Sequence, residues 1–178
     1  MSPRLRKVVL TAHVATSVGW LGSVVAYLAL DVTAATSQDV DAVRGAYSAM
    51  ALVAMYVVVP LALASVVIGI VNALGTPWGL IRHYWVLAKL LLTLIATAVL
   101  LIETQTVRYL GETAASAADP RQLPGTLPHS IGGLTMLLVI LILSVFKPQG
   151  LTRYEWRRQD RQSRSRRTGA SLRRDSVG

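Results

Sequence analysis

Residues 8–30 read VVLTAHVATSVGWLGSVVAYLAL, 23 consecutive positions without a formally charged side chain. At about 1.5 Å of rise per residue, such a run covers a hydrocarbon core of about 30 Å, so it predicts a membrane-crossing helix. Three further apolar runs follow at 46–74, 84–102 and 131–146, the second of these three broken only by Lys89. The four spans hold most of the apolar content of a 178-residue chain that is 53% hydrophobic and 15% charged. Soluble domains carry about a quarter charged residues, so an ordinary water-soluble globule is excluded. The expected architecture is all-α: an integral membrane four-helix bundle over residues 1–150, followed by a basic tail at 151–178.

The first span follows Arg4, Arg6 and Lys7 and precedes Val32-Thr33-Ala34, the outline of a cleavable leader. Its apolar run is longer than the roughly 7–15 residues of a secretory signal, so it is expected to stay in place as a helix. Orientation follows from the tendency of basic residues to remain in the cytoplasm. Segments 1–7, 75–83 and 147–178 carry fourteen Lys and Arg, whereas 31–45 and 103–130 carry three beside six acids. Both termini are therefore expected to be cytoplasmic.

From residue 147 onward there are ten basic and three acidic residues, a net of +7 within a total of +9. The high positive charge thus belongs to the tail. Its Arg, Ser and Gln content predicts disorder and attraction to anionic lipid headgroups, about 1 kcal/mol per nearby basic residue. No aromatic platform accompanies that charge, so no nucleic-acid partner is expected. The chain has no Cys, which excludes disulfides, thiol nucleophiles and Cys-based metal centres. Three His and nine acids leave little for a multi-ligand catalytic site.

Polar groups inside lipid require partners. Lys89 and His13 each lie five residues, about 7.5 Å, inside the same end of their spans. His13, Ser17, Trp20 and Tyr27 form a stripe at helical spacing on the first span; Trp85, Lys89, Thr93 and Thr97 form one on the third. If the stripes face each other, they enclose a half-membrane pocket open to the cytoplasm. With no Asp or Glu within any span as bounded above, Lys89 can snorkel to the surface, stay neutral among hydroxyls, or meet an anionic ligand. His83, beside Arg82 and Tyr84, reads as interfacial or as a further ligand, and His129 lies about a membrane thickness from His13. The small residues Gly19, Gly22, Ser23, Ala26, Gly69, Gly132 and Gly133 predict close helix packing. Pro60 predicts a kink, and Met50, Met55 and Met136 read as core filler rather than copper ligands.

The runs HVATSVGWLG at 13–22, GTPWGLIRHYWVLAKLLLT at 75–93 and LSVFKPQGLTRY at 143–154 resemble a bacterial family of four-span integral membrane proteins without an established activity. That resemblance implies the bacterial cytoplasmic (inner) membrane. More distantly, His13 with Trp20, and Trp85 with Lys89, are similar to the pattern of HemJ-type protoporphyrinogen oxidases, helical membrane proteins that bind haem b. The likeness implies His13 as an axial metal ligand and Lys89 as partner of a propionate or substrate carboxylate. Trp20, Trp85, Ser17 and Thr93 would line that site, with His83 a candidate second ligand. The general style also resembles copper-resistance D-type proteins. The expected function is therefore binding of an anionic tetrapyrrole between the first and third spans. The alternatives are a non-catalytic subunit or scaffold packed on a membrane-protein partner or a second copy, and copper handling.

Overall fold

The computed structural model describes residues 2–75 and 84–146, which form α1 (Pro3–Thr36), α2 (Val40–Val53), a π-helical turn (Ala54–Val58), α3 (Val59–Leu74), α4 (Tyr84–Ser116), a 3₁₀ turn (Pro120–Gln122) and α5 (Leu127–Phe146). The fold is the expected all-α bundle of four rods, α2 and α3 forming one continuous rod across the π turn. Each rod is long and apolar enough to cross a membrane. Polarity is arranged inside out. Val18, Leu91 and Phe146 are exposed, while Ser65, Thr97, Thr104 and Ser130 are buried. In lipid an aliphatic side chain gains little by burial, whereas a hydroxyl must find a partner, so polar faces turn inward. This is a polytopic membrane protein.

Hydroxyls that face no neighbour close onto their own helix. Thr93 donates to the Lys89 carbonyl at 2.7 Å, Thr97 to that of Thr93 at 2.8 Å, and Thr104 to that of Leu100 at 2.7 Å. This back-bonding satisfies a polar group without a partner helix.

Helix ends are set by caps rather than by the first charged residue. Pro3 opens α1, where the Ser2 hydroxyl accepts the Leu5 N–H at 3.3 Å. The helix runs through Asp31 to Thr36, and α4 likewise continues past Glu103 to Ser116. The expectation that no acid lies within a span therefore needs correction: both acids are helical, and Asp31 is only 1% exposed. A charged side chain does not interrupt the backbone ladder, so a composition boundary is not a helix boundary.

The rods alternate in direction, so the start of α1 and the end of α5 share one end of the bundle, here the near end. The α1–α2 connection and the 3₁₀ turn lie at the far end. Around the bundle α1 packs on α2, α3 and α5, and α4 packs on the same three, which leaves α1 and α4 on a diagonal. The far-end connections are tied together. Arg44 donates to the Ala117 carbonyl at 3.0 Å, and Arg121 donates both to Asp119 at 2.8 Å and to the Gln38 carbonyl at 3.2 Å. The Arg121 guanidinium and backbone N–H hold the Asp119 carboxyl down to about 2.

Pro60 acts one turn upstream of itself. Lacking an N–H, it cannot complete the regular ladder, and the Val59 N–H bonds the Ala54 carbonyl across a π turn. Where a kink was expected the helix forms this π turn, whose Ala54 and Val58 are buried in the bundle. Two apolar cores result. One lies toward the far end around Val43, Tyr47, Met50 and Leu110; the other surrounds Trp20, Val58, Ala62, Leu137 and Ile140.

Small residues play two different parts. At Gly111 a Cβ would stand 2.8 Å from Ala51 Cβ and 3.3 Å from the Tyr47 carbonyl oxygen, and at Gly69 it would stand 2.9 Å from His13 Cε1. Those glycines permit close approach. Gly22, Gly132 and Gly133, expected to do the same, have nothing within 4 Å of a Cβ and hold no helix close.

Candidate functional site

In the near half, the predicted residues divide between two seams. The His13 imidazole lies over Gly69 of α3, and the Ser17 hydroxyl shares a hydrogen bond of 2.8 Å with Ser65, also on α3. Lys89 instead donates through Nζ to Ser144 of α5 at 2.9 Å. Its ammonium is within electrostatic range of His13, but the two helices that carry them do not pack together. Of the three anticipated courses, this contact fits a lysine held among hydroxyls, the hydroxyl being supplied by the fourth span. Thr93 spends its hydroxyl on its own helix. Trp20, 4% exposed, lies deeper, in the core with Val58 and Leu137. His83 and the Trp85 side chain lie outside the described residues.

A cavity of about 370 Å³ lies on the other side of Trp20, lined by α1, the π turn, α4, Thr126 and α5; Gly132 and Gly133 leave room there that a larger residue would fill. Ile95 and Val99 of α4 line the cavity and are also exposed on the outside of the bundle. The floor is apolar, made by Trp20, Val24, Ala54, Val58 and Leu137. The π turn before Pro60 supplies two of those residues.

The far end of this cavity is polar. His129 Nε2 stands 3.4 Å from Glu103 Oε1, the Tyr27 and Thr126 hydroxyls are 3.3 Å apart, and all four residues line the cavity. Behind them Ser130 donates to Asp31 Oδ2 at 2.6 Å, while Asp31 Oδ1 is buried without a hydrogen-bond partner among the described residues. Lining groups of this kind can orient an amphiphile, with the head at Glu103 and the tail over Trp20. An apolar chamber with a few converging polar groups is the usual form of a small-molecule site, and its size falls at the lower end of that class, about 300–1,000 Å³.

Sequence reasoning missed most of this second locus. Tyr27 was on the predicted stripe, but Glu103, Thr126, His129 and Ser130 were assigned to a loop or a span boundary. The available signal was the i, i+4 relation between Asp31 and Tyr27, which continues the His13 stripe toward the far end.

A haem group tests differently against the two loci. His13 Nδ1 is buried and has no partner among the described residues, a property an axial ligand would share. The ammonium meant for a propionate is already bonded to Ser144, and the large cavity has no Lys or Arg in its lining. No group of three or more His, Asp or Glu able to hold a metal ion occurs among the described residues. The methionines are scattered: Met50 lies in the far core, Met136 packs beside Trp20's cluster, and Met55 is exposed. No family model, curated protein or solved structure matches the chain.

Proposed function

We propose that the protein lies in the bacterial cytoplasmic membrane with both ends inside the cell and binds a small amphiphile drawn from the bilayer. One observation carries the binding reading: a cavity of about 370 Å³ with an apolar floor and a polar far end, lined largely by α4 and α5. Trp20 in its floor provides the readout. In non-ionic micelles, a neutral brominated alkanol should quench tryptophan fluorescence, and Trp20→Phe should remove the quenched component. Gly133→Leu should fill the chamber and abolish the quenching. Quenching unchanged by both substitutions overturns the proposal and favours a scaffold role, in which the exposed faces pack on a membrane partner or a second copy.

A second reading places haem b, or another anionic tetrapyrrole, at His13 and Lys89. Its support is the buried His13 Nδ1, which has no hydrogen-bond partner among the described residues. Bound haem would supply redox chemistry at iron; His13 would hold the iron and Lys89 would exchange Ser144 for a carboxylate. A Soret band lost in His13→Ala and weakened in Lys89→Ala tests it. Protein that stays colourless after haem supplementation refutes it.

A further inference from the structure

We infer that the amphiphile taken by the α4–α5 cavity is an organic cation, a single-tailed ammonium whose head meets the Glu103 carboxylate. This rests on the cavity reading above and adds the charge of the ligand. Glu103 lines the chamber, its side chain one-quarter exposed at 26%, and no Lys or Arg accompanies it. A second carboxyl, Asp31, stands behind the wall, reached through Ser130 at 2.6 Å. The arginines of the same end are engaged elsewhere: Arg44 with the Ala115 and Ala117 carbonyls, Arg108 with Glu112, and Arg121 with Asp119.

The polar end is therefore acidic in a setting where opposite charge is weakly screened. Among the described residues, His129 is the one basic group in contact with Glu103, at 3.4 Å, and its ring is more than half exposed. It can swing aside for an incoming head. Tyr27, which lines the cavity at the Glu103 end, adds an aromatic ring of the kind that attracts an ammonium, while Trp20 lies against the tail.

The same census argues against other bilayer molecules. An anionic phosphate head would be set beside Glu103 with no Arg or Lys among the described lining residues to receive it, although such groups are the usual phosphate partners. The chamber volume of about 370 Å³ accommodates one tail rather than two. An anionic tetrapyrrole would meet like charge at this locus.

The test compares two quenchers with the same tail, 12-bromododecyltrimethylammonium and 12-bromododecanol, in full-length protein held in non-ionic micelles. The cation should bind about ten- to a hundredfold tighter than the alcohol, the range of an ion pair between a partly desolvated carboxylate and a quaternary ammonium that has no N–H to donate. Glu103→Gln should bring the two together by weakening the cation alone. Unchanged quenching by the alcohol shows that this variant is folded, and Glu103→Asp should retain part of the preference. Equal binding of both quenchers to the wild type, or a cation preference untouched by Glu103→Gln, overturns the inference while the cavity reading stands. Absence of quenching by either molecule overturns both. Dodecyl sulfate carrying the same bromine should bind weakest, and stronger binding by it than by the cation refutes the charge assignment directly.

Discussion

Gly111→Ala should destabilise the bundle, and Ala51→Gly should rescue it. The added Cβ at 111 would stand 2.8 Å from the Ala51 methyl and 3.3 Å from the Tyr47 carbonyl. Neither obstacle can rotate away, since Ala has no χ1 and the carbonyl belongs to the α2 ladder. Helix α4 must then move off α2 across the far core of Tyr47, Met50 and Leu110. Overpacking of this kind costs about 1–3 kcal/mol, and the rigidity of both obstacles favours the upper half of that range. Against it stands a gain of about 1 kcal/mol for replacing a helical Gly by Ala. A net loss of about 1–2 kcal/mol follows from the two. Ala51→Gly alone should lose about 1 kcal/mol through propensity. In the double variant the methyl has changed helices and the 2.8 Å clash is gone, the 3.3 Å approach to the Tyr47 carbonyl remaining, so stability should return to within about 1 kcal/mol of wild type, a departure from additivity. Unfolding by increasing sodium dodecyl sulfate in mixed non-ionic micelles, followed by far-ultraviolet circular dichroism, measures all four proteins. A Gly111→Ala variant as stable as wild type, or additive losses in the double variant, would refute the close α2–α4 contact.

Three further outcomes are expected. Ser130→Ala should cost about 1–3 kcal/mol in the same assay, because it leaves the buried Asp31 carboxyl without its described hydroxyl donor; a loss no larger than that of the exposed Thr135→Ala would count against it. The Asp119 carboxyl, held down to about 2 from 3.8 by Arg121, contributes stability that is fully present above 3.8 and is lost as pH falls through about 2. Its carboxyl carbon shift in a pH titration should move near 2 in wild type and return toward 3.8 in Arg121→Ala. For topology, a reporter fused after Gly178 should be cytoplasmic and one inserted beside Ala117 should not be; both on one side would contradict four crossings.

The four helices were legible because crossing lipid imposes one requirement, a run of about twenty predominantly apolar residues, and VVLTAHVATSVGWLGSVVAYLAL and the run at 46–74 meet it without a single charge. The inward stripe was half legible. Ser17 and Trp20 do face the interior, and Tyr27 reaches the cavity. The expected face-to-face meeting of spans one and three did not follow, because the hydropathy of a helix says nothing about which neighbour it packs on. His13 turned to Gly69 and Lys89 to Ser144. The tail at 151–178, expected to be disordered and drawn to anionic headgroups, lies outside the described residues.

The sequence by itself determined the solvent and the number of crossings, since both depend on local apolar length. Tertiary structure decided where the polar groups went. Asp31 is a boundary residue by composition, yet it is buried because Ser130, 99 positions later, brings a hydroxyl to its carboxyl. Gly132 and Gly133 look like contact residues until α4 is seen standing away from them, and the resulting space is the cavity. Such partners are distant in the chain, and in lipid no hydrophobic drive selects among helix faces. The pairing is fixed by steric fit and by the few hydrogen bonds that polar side chains must complete, and these exist only once the helices are assembled.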